Sequence, residues 1–175
     1  LMDGSIGTPW GGTFAILDEN NTIQSSGTGE LLIQNASLMR GYHNLEDKTN
    51  EVLKNGWYHS SDVGILEANG SARLTGRIKY MINRGGLKVH PEDIDILLEK
   101  NKEISEACTF AVPHSLEGET IGVAIEMKDK NNFDELKFRK WCSNFISREK
   151  IPTKWYLVDH IPKTDRGKIN RDNVA

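Results

Sequence analysis

No long apolar run is present in this sequence. Nothing approaches the roughly 20 consecutive residues that cross a bilayer, and no signal-peptide pattern is visible, so neither a helical membrane span nor a secretory leader is read from it. Cysteine is almost absent. The two present, Cys108 and Cys142, lie inside apolar stretches without metal-ligand spacing. They read most simply as core thiols of a reducing compartment. Excess charge of one sign is missing as well. With 22 Lys and Arg against 25 Asp and Glu, the formal net charge is −3, which argues against nucleic acid as a bulk electrostatic partner. Internal repeats and low-complexity tracts are not found. What remains is the composition of a slightly polar globular protein, 37% hydrophobic and 27% charged over 175 residues. That is enough for one medium domain or two small ones. Together these features set the expectation of a cytoplasmic protein.

The pattern along the chain changes near Gly76. Before it, short strands alternate with tight turns. Residues 13–17 and 30–34 read as strands, with Asp18-Glu19-Asn20-Asn21 as a turn after the first. Residues 46–54 have helical spacing around Val52 and Leu53, stopped by Asn55-Gly56. Residues 65–67 and 72–75 flank Ala68-Asn69-Gly70, a hairpin signal. After Gly76, residues 91–100 read as a helix. A proline sits in its first turn, Glu92 and Asp93 lie at the positive end of the dipole, and Ile94, Leu97 and Leu98 share one face. Residues 134–147 read as a second helix with Phe138, Trp141, Cys142 and Phe145 on one stripe. Residues 107–112, 122–127 and 155–158 read as strands. This order predicts an α+β fold: a β-rich subdomain over 1–78, then a small α+β domain over 79–175 whose sheet is flanked by helices. The chain starts with Leu, and Asp3-Gly4-Ser5-Ile6-Gly7-Thr8-Pro9 is turn chemistry with no element before it. We therefore expect the tail of a longer protein.

Three segments carry chemistry. In Gly56-Trp57-Tyr58-His59-Ser60-Ser61-Asp62-Val63-Gly64, Asp62 stands where a loop passes into a strand. A carboxylate there can accept two hydrogen bonds from a vicinal diol, as a ribose site requires, or can simply cap a turn. The second segment runs from Thr75 to Pro91. For Arg77 and Lys79 the plain readings are a surface ion pair and an exposed strand lysine; the functional ones are an anion contact and a hinge residue. Gly85-Gly86, before Leu87-Lys88-Val89, permits close backbone approach and equally suits a plain hairpin turn. The third segment is Pro162-Lys163-Thr164-Asp165-Arg166-Gly167-Lys168-Ile169-Asn170-Arg171. A proline fixes its start, a glycine frees the backbone beside Lys168 and an isoleucine anchors the far side. Lys168 could be held out on a flexible tip toward a phosphate or carboxylate, or be a solvated loop lysine. No metal-ligand set is seen.

Taken together and in this order, these segments resemble the C-terminal part of an AMP-forming adenylating enzyme. That superfamily holds acyl-CoA synthetases, adenylation domains and luciferase. The resemblance spans essentially the whole chain. It implies that Asp62 binds the ribose hydroxyls of ATP and AMP, with Ser60-Ser61 in place of the usual Thr-Gly. A hydroxyl is kept there and a glycine is lost. The resemblance also implies that Arg77 meets ribose or phosphate and that Lys79 is the hinge. Gly85 and Gly86 then line the channel by which a pantetheine thiol arrives, and Lys88 replaces a basic residue that touches ATP in some members. Leu87 stands where Glu is frequent. Asp93-Ile94-Asp95 stands for the usual Glu-x-Glu, acids that also suit a helix start. Lys168 would bridge the substrate carboxylate and the ATP phosphates. Pro162, Lys163, Thr164, Gly167, Ile169 and Arg171 match the same pattern.

The resemblance implies two steps. A carboxylic acid and ATP give an acyl-adenylate and pyrophosphate. The acyl group then passes to a thiol, of coenzyme A or of a carrier protein's phosphopantetheine. Lys168 belongs to the first arrangement and Gly85-Gly86 to the second, with the small domain turning about the hinge between them. Mg²⁺ is implied through ATP, with ligands outside this chain. The phosphate loop and the Tyr-Gly-x-Thr-Glu segment of the family are not in the sequence. The N-terminal part of the enzyme and its acyl pocket are therefore expected elsewhere in the same protein, and this piece alone is expected to be inactive. The run Ile82-Asn83-Arg84-Gly85-Gly86 leans toward the acyl-CoA and aryl-acid members. The competing reading is a non-catalytic adenylating-type module that docks a carrier protein or other partner. The trio Asp62, Arg77 and Lys168 argues against it. Nucleic-acid binding by residues 163–171 is disfavoured, because the patch is short, contains Asp165 and lacks an aromatic platform.

Overall fold

The computed structural model describes residues 5–174, and the chain forms two compact units, Leu1–Lys79 and Tyr80–Ala175. Of the turn read at the start of the sequence, Asp3 and Gly4 lie outside the described residues.

The first unit is built on an antiparallel sheet. In chain order the elements are β1 Ser5–Gly7, β2 Gly12–Leu17, β3 Ile23–Gln24, β4 Gly27–Asn35, α1 Glu46–Val52, β5 Leu53–Lys54, β6 Trp57–Leu66 and β7 Ala72–Arg77. The strands lie in the order β1-β7-β6-β4-β2-β3, with β5 added to β6. Ile16 of β2 faces Leu31 of β4, and with Leu66 and Ala72 they form a small core. Ser5 to Gly7, expected as part of a turn, instead extend along the free edge of β7. Their partners, Ala72 and Arg73, are too far along the chain for local pattern to reveal. The helix expected over 46–54 stops at Val52. Leu53 and Lys54 pair with Tyr58 and Trp57, and Asn55 and Gly56 form the turn between them at φ 51° and 80°. An Asn-Gly pair serves a tight hairpin as readily as a helix end, and here the adjoining ladder selects the hairpin.

The second unit has the α+β composition expected. Its elements are β8 Ile82–Arg84, β9 Leu87–Val89, α2 Pro91–Glu99, β10 Ile104–His114, β11 Gly118–Met127, α3 Glu135–Cys142 and β12 Lys154–Val158. β11 is the organising strand. It pairs antiparallel with β10 along nearly its whole length, parallel with β12, and with β8 at Gly118. Alternation along β11 sends Ile121, Val123, Ile125 and Met127 to one face. There they pack with Ile94 and Leu98 of α2 and Phe138 and Cys142 of α3. Both helices therefore cover the same face of the sheet. Phe138 stacks on Trp155 of β12, centroids 6.1 Å apart. Helix α3 is shorter than the stripe suggested. It ends at Cys142, and Phe145 is 61% exposed, resting against Trp141. Ser143 and Asn144, weak helix formers, follow the last turn. Both cysteines are buried; desolvation pushes the Cys108 thiol up to about 12 and the Cys142 thiol to about 11. Neither is a ready nucleophile. Among the described residues no helix is long and apolar enough to cross a membrane.

Candidate functional site

In the first unit the geometry centres on Asp62. Strands β6 and β7 place Asp62 and Arg77 directly opposite each other, and Arg77 Nε lies 2.8 Å from Asp62 Oδ1. Arg77 is thus in the surface ion pair that its plain reading foresees. The register between β4 and β6 is broken just before Asp62: Leu32 pairs with His59, but Glu30 pairs with Val63. This is a bulge. Ser60 Oγ donates to the Leu31 carbonyl at 2.7 Å and accepts the Asp62 N–H at 3.1 Å. Ser61 N–H donates to Glu30 Oε1 at 2.9 Å, and the other Glu30 oxygen lies 3.1 Å from His59 Nδ1. Ser61 takes φ 60°, a left-handed conformation. The bulge therefore holds Asp62 by backbone and hydroxyl contacts, not by a simple turn cap. Nearby, burial and then the Tyr42 hydroxyl push the Tyr58 phenol above its usual range.

Lys79 lies in a single 3-10 turn, Ile78–Tyr80, after β7, and not in a strand. In the second unit, Gly85 and Gly86 are the two-residue turn between β8 and β9, with φ 55° and 93°. Two positive φ values in a row suit the right-handed twist of a tight hairpin, and glycine takes them without a Cβ clash. The turn is held from both sides. Gly85 N–H donates to the Glu117 carbonyl at 2.9 Å and Gly86 N–H to Asn83 Oδ1 at 3.0 Å. Arg84 fixes the base: its Nε donates to Glu117 Oε2 at 2.9 Å and its Nη1 to the Glu149 carbonyl at 2.7 Å. The Arg84 hydrogen bond holds the Glu117 carboxyl below its ordinary range. Lys88 is exposed on β9.

Lys168 lies on a hairpin that follows β12. Lys163 and Ile169 form an antiparallel bridge. Thr164 N–H donates to the Lys168 carbonyl at 2.7 Å, Gly167 N–H to the Thr164 carbonyl at 2.8 Å and Asn170 N–H to the Pro162 carbonyl at 2.8 Å. Gly167 sits at φ 76°. This is the three-residue loop in which a tight turn is closed by a left-handed glycine. The glycine therefore selects one conformation instead of giving a flexible tip. Lys168 is exposed, and among the described residues its ammonium has no ion-pair partner.

The hairpins of Gly85-Gly86 and Lys168 are anchored at opposite ends of β10 and β11. The first is bound through Glu117 and Gly118. The second is bound through Lys163, whose Nζ is 3.0 Å from Glu106 Oε1. From Glu106 to His114 the strand runs about 27 Å at ~3.4 Å per residue.

One buried pair escaped the sequence reading. Asp95 of α2 and Arg171 meet at 2.8 Å, with side chains only 8% and 10% exposed. From the sequence alone Asp95 reads as an acid of the helix start. Its position between Ile94 and Leu98, inside the apolar stripe, was the available signal, because a carboxylate placed there needs a buried partner.

Residues 93–168 match the AMP-binding enzyme C-terminal domain. A probable CoA ligase of Humulus lupulus is 36% identical over 98% of this chain and 33% of its own length. An oxalate–CoA ligase of Arabidopsis thaliana is 34% identical over 98% of this chain and 34% of its own. The chain thus spans about a third of the length of the curated relatives it matches. The ATP-bound crystal structure of MatB from Rhodopseudomonas palustris shares the fold, with a TM-score of 0.90 over 98% of this chain and 35% of that one, at 22% identity.

Proposed function

We propose that this chain is the C-terminal part of an AMP-forming acid–thiol ligase. The enzyme activates a carboxylic acid as its acyl-adenylate and passes the acyl group to a thiol. The observation that carries this reading is the Lys168 ammonium, without an ion-pair partner among the described residues, on a hydrogen-bonded hairpin of an AMP-binding C-terminal domain. In the first step an anionic carboxylate attacks the anionic α-phosphate of ATP. Negative charge converges and grows in the transition state, and a fixed cation offsets it. Asp62, aimed by its bulge, would accept the ribose hydroxyls, with Arg77 beside it for ribose or phosphate. Lys88 would add a cation toward ATP. Mg²⁺ enters as the ATP complex, and no residue here is assigned to it.

In the second step the Gly85-Gly86 turn would line the path of the incoming thiol. Its anchor and that of the Lys168 hairpin lie about 27 Å apart on one strand pair. Two loops so separated on one unit do not reach a single acyl group together. This supports alternation of the small unit, 79–175, against the rest of the enzyme, with Lys79 as the hinge. In this reading 1–78 is the end of the large domain. Both relatives described above are CoA ligases, which favours coenzyme A over a carrier protein as the acceptor.

The test is ATP–pyrophosphate exchange by the full-length protein, with acids ranging from oxalate to aromatic and long-chain acids. The expected result is exchange with one class of acid, falling about 10²–10³-fold in Lys168→Ala. The isolated chain is expected to show none. Silence of the folded full-length protein across the panel would favour a docking module instead.

A further inference from the structure

We infer that Arg171 is the positioning residue of the Lys168 hairpin, and that it governs the adenylating step without governing acyl transfer. The inference rests on the function proposed above.

The hairpin itself is exposed and is closed mainly by its own backbone. Three residues after Lys168 the chain turns into the interior at Arg171, which is 9% exposed. The Arg171 guanidinium is engaged on several sides. Its Nη2 donates to Asp95 Oδ2 at 2.8 Å and lies 3.7 Å from Glu92 Oε1. Its Nη1 donates to the Thr109 carbonyl and lies 3.5 Å from Cys108 Sγ. The Tyr80 ring lies under it, 5.5 Å from ring centre to guanidinium carbon. Asp95 is fixed in turn, its Oδ1 accepting the Thr109 N–H at 2.6 Å. One side chain thus fastens the base of the hairpin to α2, to β10 and to Tyr80, the first residue of this unit.

Only a planar fork can meet the Asp95 carboxylate and the Thr109 carbonyl together; a lysine ammonium keeps the charge but not both directions. The Gly85-Gly86 turn is fastened by a different set, Arg84 to Glu117 and to the Glu149 carbonyl. The two anchors share no residue. A cation that must bridge a carboxylate and phosphates depends on its placement, and an error of about 1 Å can cost ~10²-fold. A backbone turn lining a thiol path does not feel that error.

The experiment uses Arg171→Lys in the full-length protein, beside wild type and Lys168→Ala. Two half-reactions are measured: ATP–pyrophosphate exchange, and thioester formation from supplied acyl-adenylate and coenzyme A. Hydrogen exchange is followed at the Thr164, Gly167 and Asn170 amides of the hairpin, with Gly85 as the control. In Arg171→Lys, pyrophosphate exchange should fall between about tenfold and ~10²-fold, while thioester formation stays at the wild-type rate. The hairpin amides should lose protection and Gly85 should keep it. Unchanged pyrophosphate exchange overturns the inference, as does an equal fall of both half-reactions. If wild-type exchange is active and sensitive to Lys168→Ala while Arg171→Lys matches wild type, only this inference fails. If the folded wild type shows no exchange with any acid, the proposed function fails and takes this inference with it.

Discussion

Two aspartate–arginine pairs sit in this chain at the same separation and in opposite surroundings. Asp62 and Arg77 are 2.8 Å apart with side chains 22% and 61% exposed, whereas Asp95 and Arg171 are 2.8 Å apart at 8% and 10%. Distance alone would give them equal weight. Burial separates them. An exposed ion pair contributes roughly 0–1 kcal/mol, because water solvates each partner nearly as well as the other does. Asp62 can therefore exchange Arg77 for a ligand's hydroxyls at little cost. A buried charge that loses its partner has no water to replace it. Asp95 and Arg171 are bound to remain together, which suits a fastener and not a ligand site.

The comparison breaks most visibly at the buried pair. Asp95→Ala leaves the Arg171 guanidinium without its counter-charge and frees the Thr109 N–H. Denaturant unfolding of the second unit should show a loss of about 3–5 kcal/mol. A loss under ~1 kcal/mol would place this pair with the exposed one. Arg77→Ala is the matching change on the surface. It should cost no more than ~1 kcal/mol of stability. If the proposed function holds, its effect in the full-length protein should fall on binding, with KM for ATP rising and kcat little changed. A stability loss as large as that of Asp95→Ala would mean that burial is not what distinguishes the two pairs.

The same contrast explains what could be read from the sequence. Helix α2 was legible because its signals are local: Pro91 at the start, acids in the first turn, and Ile94, Leu97 and Leu98 on one face. Strands β2, β4, β10, β11 and β12 were legible in the same way, and each is longer than the apolar run that announced it, whereas β1 lay in a turn-like stretch and β5 in a helical one. Asn55-Gly56 misled because its backbone preference is shared by two structures, and only the ladder from Leu53 to Tyr58 decides between them. Phe145 misled because helical spacing continues on paper after Ser143 and Asn144 have ended the helix. The candidate site residues were found as motifs. The bulge that aims Asp62 and the fastening of Lys168 through Arg171 were not, because each depends on residues 29 to 76 positions away. A carboxylate inside an apolar stripe tells the reader that a partner exists, not where it is.

The smallest expected effect lies beside the exposed pair, at Ser61. Its φ of 60° is a conformation in which an L-residue is disfavoured by about 1–2 kcal/mol. Ser61 contributes its backbone N–H to Glu30 Oε1, and glycine would keep that bond. Glycine also adds freedom to the unfolded chain, worth about 0.4–1 kcal/mol against folding. The strain is the larger of the two terms, so Ser61→Gly should raise the stability of the first unit by roughly 0.5 kcal/mol. The denaturant midpoint would move upward with the slope unchanged. Because the Ser60 hydroxyl still links the Leu31 carbonyl to the Asp62 N–H, the bulge and the Asp62–Arg77 pair should survive the change. A drop in stability would instead mean that the Ser61 side chain offsets its own strain. Asp62 would then owe its position to both serines and not to Ser60 alone.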